Sequence, residues 1–536
     1  MMRIIKLIFI LLLSLNAFGQ TRDGEKVFAH LSKNICLVND QIWFSLQVSN
    51  GNEPSPSKIA YVELIDRASL PVLQLIVPLY EGKNDGVLEI PPHLESDHYL
   101  LRFYTRTSPL HDKNGSGVYN QLVTIINPKK GPVSQKPFQA KSTYKFEKAR
   151  DFHIPESRLK KNSEIQMPLN FVQNTYRISV GIQNPYLPEN FQGFIGQEIY
   201  QPLEGEIRVI PELYGHIVHG KNLATEIDTT ETFFLSAHGR QSVLHSAKPD
   251  QEGNLFFELG PLKEYEFLIA QSLNYEKQLN FAPQSPFWNL KLIDDFVFPP
   301  LNLNEGDRKF LEMLMLAAQL KPHFYPVKRA EQLPIVTGFV ADRTYLLDDY
   351  SRFENMETTL REYVPEVLVR RQNRSMVFKL LNTPLGGLFQ ENPLILIDAM
   401  PVFDTGELAK FDPKDIEKLE VLTREFSFNE DKFSGVLSLT SFQNDFGKFE
   451  LPKNALYLNY WPILQPKKLE SPHFNPKIGA ANYPDFRTCL LWNPEISSSQ
   501  ARFFTSEITG KFEIKVSFVD ETGMLQFLQS SFDIID

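Results

Sequence analysis

Alternation of apolar and polar residues with a period of two, broken at short intervals by turn-forming residues, is what most restricts the folds open to this chain. From Glu25 to Ile126 it runs through Val27 to Leu31, Ile42 to Val48, Ala60 to Ile65, Val72 to Val77 and Tyr99 to Tyr104. Asn50-Gly51-Asn52, Pro54, Asn84-Asp85-Gly86 and Pro91-Pro92 punctuate these runs. Successive side chains of a strand point to opposite faces, so each run is a ribbon with one apolar face that a second sheet must cover. Among the 536 residues, 42 are Phe, 27 Gly and 37 Pro, which favours many short strands in three or more domains. The expected fold class is mainly β, an array of β-sandwiches with one α+β insert.

The rest of the chain extends the pattern. Strand-like runs return at Glu164 to Leu169, Tyr176 to Ile182, Tyr214 to His219, Thr232 to Ala237, Leu255 to Leu259 and Glu266 to Ala270, and near the end at Ala501 to Thr505, Gly510 to Phe518 and Gly523 to Phe532. Asn127 to Arg150 carries Pro128, Gly131, Pro132 and Pro137 with seven Lys or Arg, the composition of a solvated linker. Phe310, Leu311, Met313, Leu314 and Ala317 recur at three and four, which predicts an amphipathic helix over Glu305 to Leu320. A second helix is expected from Met356 to Tyr363, capped by Asn355 and stopped by Pro365. Val336 to Val340 reads as a strand between them, and these pieces are expected to pack on the sheet of the insert.

That insert is the stretch Asn392 to Phe442. The apolar run Leu394 to Ile397 suits a strand buried on both faces; Asp412 and Pro413 read as cap and first residue of a short helix; Val421 and Leu422 begin the next strand. The segments Leu394-Ile395-Leu396-Ile397-Asp398, Pro401-Val402, Asp412-Pro413-Lys414-Asp415-Ile416-Glu417 and Gly435-Val436-Leu437-Ser438 resemble the plug domain of TonB-dependent outer-membrane receptors, as carried by many Bacteroidota proteins. Ala399 stands where that family usually has Gly. A receptor barrel of about 22 strands at about 10 residues each needs more than about 200 residues after the plug, and fewer than half as many follow Phe442. The resemblance therefore implies a plug that gates no pore of its own chain, with Asp398, Pro401 and Asp412 setting turns.

Glu25 to His30, Asn39 to Phe44 and His98 to Thr105 look like the macroglobulin MG2 sandwich of bacterial α-2-macroglobulin-like proteins. Gly215 to Gly220, Phe233 to Leu235 and Gly253 to Phe257 are similar to carboxypeptidase-regulatory-like or MG3-like domains, which act as spacers. Trp492-Asn493-Pro494, Phe504-Thr505-Ser506 and Gly510 look like a closing macroglobulin-type sandwich. With these resemblances the expected fold is a tandem of macroglobulin/immunoglobulin-like β-sandwiches with one α+β plug-like domain. Its expected divisions are a signal peptide (1–19), an MG2-like sandwich (20–128), a linker (129–150), an MG3-like or carboxypeptidase-regulatory-like region (151–285), the plug-like domain (300–450) and a C-terminal sandwich (451–536). Covalent protease trapping by macroglobulins needs a Cys-Gly-Glu-Gln thioester; Cys36 is followed by Leu37-Val38 and Cys489 by Leu490-Leu491, which rules that chemistry out.

Arg3 and Lys6, the apolar run Leu7 to Leu15, and the small residues Ala17 and Gly19 have the pattern of a secretory signal peptide. The run is shorter than the roughly 20 residues of a membrane span, and no transmembrane segment is expected in the mature chain. The expected location is exported, periplasmic or associated with the outer membrane. A net charge of -10 disfavours nucleic acid as a partner. Two cysteines at opposite ends of the chain leave both a disulfide and two buried free thiols open.

A search for chemistry finds no nucleophile elbow, Walker loop, zinc-protease helix or dinucleotide fingerprint. His216 and His219 are the best metal candidates, but a spacing of three on a strand turns the rings to opposite faces. The adjacent carboxylates Asp348-Asp349 and Asp294-Asp295 also diverge, and fit loop or cap roles. No catalytic, cofactor-binding or metal residue is expected, and no cofactor. Trp43, Phe44, Phe103 and Tyr104 read as core; Trp288, Tyr457, Tyr460 and Trp461 are candidates for recognition, the last three as an exposed patch. The expected function is that of a non-catalytic exported envelope protein, a binding or scaffolding partner of an outer-membrane protein or TonB-dependent transporter, docking by shape or by strand addition. The rival expectations are a non-covalent macroglobulin-like protease inhibitor without a thioester, and a cryptic hydrolase or carbohydrate-active enzyme with a deep carboxylate- or His-lined pocket.

Overall fold

The computed structural model describes residues 24–111, 115–132, 144, 146–147, 150–152, 154, 156–169, 176–204, 207, 209–239, 242–260, 264–274, 279–324, 338–372, 375–463, 484–519 and 525–536. The expected signal peptide (1–19), most of the expected linker and Val336-Thr337 lie outside the described residues. The described chain is mainly β, as its alternation predicts, and divides into two compact units: 1–213 with 289–328 and 466–536, and 214–288 with 329–465.

The first unit opens with a sandwich. One sheet pairs Gln41–Asn50 with both Glu25–Leu31 and Lys83–Glu89; the other runs in the order Ile35–Leu37, Tyr119–Ile126, Asp97–Tyr104, Ile59–Ile65, Pro71–Pro78. Their inner faces meet edge to face at Phe44 and Phe103, with ring centres 5.3 Å apart, and at Phe28 and Tyr119, 5.5 Å apart. The chain changes sheets between Leu37 and Gln41, where Asn39 adopts a left-handed φ of 63° that Asn tolerates well.

A second sandwich in this unit joins segments that the sequence places in separate regions. Tyr176–Ile182 pairs on one edge with Cys489–Ile496 and on the other with Gly510–Val519, which in turn pairs with Leu525–Ile535. The antiparallel pair Glu164–Pro168 and Gln500–Phe504 covers it, so that Phe503 meets Phe532. The expected 151–285 region is thus divided: its first part completes the sheet of the C-terminal strands, and 214–283 folds in the other unit. All seven residues of Tyr176–Ile182 are buried, and such a strand needs neighbours on both edges that its own sequence does not specify.

The amphipathic helix forms at Arg308–Phe324, but its Leu314 and Ala317 enter the core of this second sandwich beside Ile35, Leu37 and Leu490. It belongs to the first unit and not to the sheet of the α+β insert, a correction to the 300–450 division. Its spacing fixes an apolar face; which sheet covers that face is decided by tertiary packing.

The second unit contains a small sandwich and the α+β insert. In the sandwich, Ile217–Asn222 pairs with Asn254–Glu258 and Phe281–Pro283; Phe233–His238 pairs with Val243–Ala247 and Phe267–Ser272, the latter extended by Leu456–Leu458. The insert is a mixed five-stranded sheet in the order Arg343–Leu346, Ile416–Leu422, Val436–Ser441, Leu394–Ile397, Met400–Pro401. Leu394–Ile397 runs parallel to Val436–Ser441, and the connection carries the helix Thr405–Lys410. The helix expected at Asp412-Pro413 is one 3-10 turn, Pro413–Asp415, because the strand Ile416–Leu422 begins directly after it. The longer helix starts upstream, where Asp404 Oδ1 accepts from Gly406 N at 2.9 Å and Glu407 N at 3.1 Å. Met356–Tyr363 is capped by Asn355, whose Oδ1 accepts from Thr358 N at 2.8 Å, and buries Met356 and Leu360 against Ile395, Ile397, Leu419 and Leu439.

Asp398 and Ala399 form the two-residue turn between the paired Ile397 and Met400, with φ of 46° and 66°. Asp398 is buried, and its carboxylate accepts from Ser441 N at 2.8 Å, Ser441 Oγ at 2.6 Å and Phe446 N at 2.8 Å, tying the turn to the end of the central strand. Burial raises the Asp398 pKa, against the opposing pull of these hydrogen bonds. Ala399 gains nothing comparable for its left-handed backbone, which costs an L residue about 1–2 kcal/mol. Ala399→Gly is therefore expected to stabilise the protein by about 1 kcal/mol in urea unfolding, the gain being reduced by the greater unfolded-state entropy of Gly.

Candidate functional site

Among the described residues, Arg343–Leu346 is the outermost strand of the mixed sheet and pairs on one side only, with Ile416–Leu422. Both of its ends are fastened. At the N-terminal end, Asp342 Oδ2 accepts from Thr423 N at 2.8 Å and Thr423 Oγ1 at 3.0 Å while Oδ1 pairs with Arg424. Burial works against the Asp342 charge, but Thr423 and Arg424 outweigh it and hold the carboxyl below its ordinary value. At the C-terminal end, Leu347 is buried in the core. Arg352 then donates to the carbonyls of Pro413 at 2.8 Å, Ile416 at 3.0 Å and Lys414 at 3.1 Å, and to Asp348 Oδ1 at 2.5 Å. Its guanidinium also lies 5.5 Å from the centre of the Phe442 ring.

Glu366 fixes the middle of the strand. Its carboxylate accepts from Tyr345 Oη at 2.5 Å and pairs with Arg343 Nε at 3.4 Å. Burial, then the hydrogen bond to Glu366, then the Glu366 charge push the Tyr345 phenol up, so it remains a donor at neutral pH. From Tyr345 a row of rings leads away from the strand: Tyr350 at 6.4 Å, Tyr363 at 4.6 Å from Tyr350, and Phe353 at 5.3 Å from Tyr363. Val340 is 79% exposed and Leu346 47% exposed at this edge. The arrangement offers peptide groups for pairing, aromatic faces for packing and few degrees of freedom to lose, the ingredients of strand addition by a partner.

The residues singled out in the sequence lie elsewhere. His216 is buried with Nε2 3.1 Å from Tyr460 Oη, while His219 stacks on Phe256 and has Nε2 3.3 Å from Asn254 Oδ1; the two rings do not converge. Among the described residues no group of three or more His, Cys, Asp or Glu is placed to hold a metal ion. Asp348 serves Arg352, and Asp294 and Asp295 are exposed in a turn. Trp43, Phe44, Phe103 and Tyr104 are core residues. Of the expected Tyr457, Tyr460 and Trp461 patch, Tyr457 is exposed and stacks on Phe267, whereas Tyr460 is buried beside His216; Trp288 is half-buried. Cys36 and Cys489 are both buried free thiols, and burial pushes each up to about 12. Sequence reasoning missed Tyr345, Tyr350, Phe353 and Tyr363; the density of aromatics over this short stretch was the available signal. Among the described residues no helix is long and apolar enough to cross a membrane.

No family model matches the chain, and no curated protein matches it in sequence. Among solved structures it is similar to Salmonella α-2-macroglobulin reacted with methylamine, at 7% identity over 96% of this chain and 39% of that chain, with a TM-score of 0.20. It is also similar to the native conformation of E. coli α-2-macroglobulin, at 6% identity over 96% of this chain and 40% of that chain, with a TM-score of 0.21. A CARDB domain from Pyrococcus furiosus, in complex with di-metal ions, aligns at 14% identity with 20% of this chain and 96% of its own, with a TM-score of 0.16. The chain spans about two-fifths of those macroglobulin chains. The fold stands on the strand pairing described above.

Proposed function

We propose that this chain is a non-catalytic exported envelope protein that serves outer-membrane TonB-dependent transport or barrel machinery as a binding or scaffolding partner. The observation that carries the reading is the fastened edge strand Arg343–Leu346, unpaired on its outer side among the described residues, with its aromatic row. A strand of the partner adds to this edge, its backbone pairing with the outer peptide groups and its side chains packing on Leu346 and Tyr350. The plug resemblance of Leu394 to Ser438 supports a partner among outer-membrane barrels, and the leader-like N-terminus supports export.

A photo-crosslinking residue at position 346 in the full chain, expressed in envelope-bearing cells, is expected to capture an outer-membrane barrel identified by mass spectrometry. The double variant Val340→Lys/Leu346→Lys places charges along the edge and is expected to weaken binding to that barrel about tenfold, roughly 1.4 kcal/mol. The same crosslinker at Tyr214, which is 74% exposed, is the control. Equal capture from positions 214 and 346, or full affinity in the double variant, would sink the proposal.

A further inference from the structure

Three stretches far apart in sequence enclose a cavity of about 40 Å³ in the first unit, lined among others by Lys33, Cys36, Asp40, Lys321, Thr488 and Cys489. Lys33 Nζ donates to Asp40 Oδ2 and, at 3.3 Å, to Thr488 Oγ1; Lys321 Nζ donates to Asp40 Oδ1 at 2.9 Å. Arg487 also lines the cavity, but Asp485 matches its charge with contacts of 2.6 Å and 2.8 Å. Two ammonium groups therefore share one carboxylate, which leaves one positive charge in surplus.

The surplus sits where water is scarce. The side chains of Lys33 and Asp40 are 7% and 11% exposed, and that of Lys321 is 21% exposed. An uncompensated charge in such a place is costly. The thiols cannot supply the missing negative charge, since burial pushes both up to about 12 and keeps them neutral. Each ammonium has three donors; among the described residues Lys33 directs hydrogen bonds to two groups and Lys321 to one. A volume of about 40 Å³ holds a water-sized particle or two. Asp40 at the wall disfavours a divalent oxyanion.

We propose that this cavity binds one monovalent halide, chloride in ordinary media, between the ammonium groups of Lys33 and Lys321. The ion balances the charge and links the turn after the first strand, the last turn of the helix Arg308–Phe324 and the segment entering Cys489–Ile496. This site is independent of the docking edge proposed above.

The test is thermal unfolding of the full chain at constant ionic strength as sodium glutamate is exchanged for sodium chloride or bromide, with sodium sulfate as the divalent arm. The expected result is a saturable rise in Tm with either halide and none with sulfate, together with a single bromide in the anomalous map of a bromide-soaked crystal, in contact with both ammonium groups. Lys321→Met removes the surplus charge at the more exposed position and is expected to keep the fold while abolishing the halide response. A Tm indifferent to halide, an equal response in Lys321→Met, or water alone in the cavity overturns the proposal.

Discussion

Arg487→Met is expected to destabilise the first unit by about 3–5 kcal/mol in urea unfolding, the cost of breaking a buried ion pair from one side. The side chains of Arg487 and Asp485 are 1% and 0% exposed. Arg487 Nε and Nη2 hold the Asp485 carboxylate at 2.8 Å and 2.6 Å, and the same guanidinium donates to the carbonyls of Leu490 and Phe504 at 3.3 Å and 3.2 Å. Without the guanidinium, the Asp485 carboxylate keeps the Arg487 backbone amide at 3.1 Å, and two strand-end carbonyls lose a donor. Most of the loss is thus the penalty of a stranded charge. Asp485→Asn in the Arg487→Met background removes that charge but retains an acceptor for the amide, so the double variant is expected to recover a clear part of the loss. A double variant as unstable as Arg487→Met alone would show that packing, and not the stranded carboxylate, sets the effect.

The period-two runs made the first sandwich legible because Phe28, Phe44 and Phe103 each sit on the inner side of a strand read from its alternation, although the strand Tyr119–Ile126 that meets them was not read. The apolar run Leu394 to Ile397 was legible for the same kind of reason: a strand covered on both faces cannot afford polar positions. Long-range choices were not legible. Nothing local tells Tyr176–Ile182 that its neighbours lie more than 300 residues away, or tells Leu314 and Ala317 which sheet they will cover. The cap signals illustrate the limit at short range. Asp404 and Asp412 offer the same side-chain acceptor, and the longer helix follows Asp404 because a strand claims the residues after Asp415.

The candidate edge was hidden for a different reason. Arg-Thr-Tyr-Leu at 343–346 has little alternation, and its place at the rim of a sheet follows from the pairing of Ile416–Leu422 with Val436–Ser441 on the other side. The cavity around Lys33 and Lys321 was equally hidden, since its charges come from segments whose sequences are each unremarkable. In both places the informative residues are those brought together by topology, and local pattern reports only what a segment's own faces require.

Acidification from pH 7 to pH 5 is expected to cost about 2 kcal/mol for each of the buried neutral histidines His98 and His238, with a further loss in the same direction from His30, beyond the contribution of the carboxylates. His238 is held between Ser236 Oγ at 2.8 Å and Ser242 Oγ at 3.1 Å, with Phe267 and Phe446 against its ring, and burial lowers its pKa to about 3. Burial first, then the Asp97 and Arg67 charges acting in opposite directions, bring His98 to about 4. Burial, followed by Arg177 and Lys515, holds His30 well below its ordinary value. The sign follows from proton counting: between these lowered values and the unfolded value of about 6.5, the unfolded chain binds more protons, so stability falls as pH falls. Each group costs about 1.4 kcal/mol per pH unit across that window, and the loss levels off only near the folded pKa. His30 and His98 lie in the first unit and His238 in the second, so both units are expected to weaken. His238→Gln retains hydrogen-bonding capacity without a titrating proton; it lowers stability at pH 7, but its urea-derived stability should fall about 2 kcal/mol less between pH 7 and pH 5 than that of the unsubstituted chain. An identical fall in the two proteins would mean that His238 takes up its proton in the folded state as readily as in the unfolded chain, against everything its apolar and hydroxyl-lined surroundings imply.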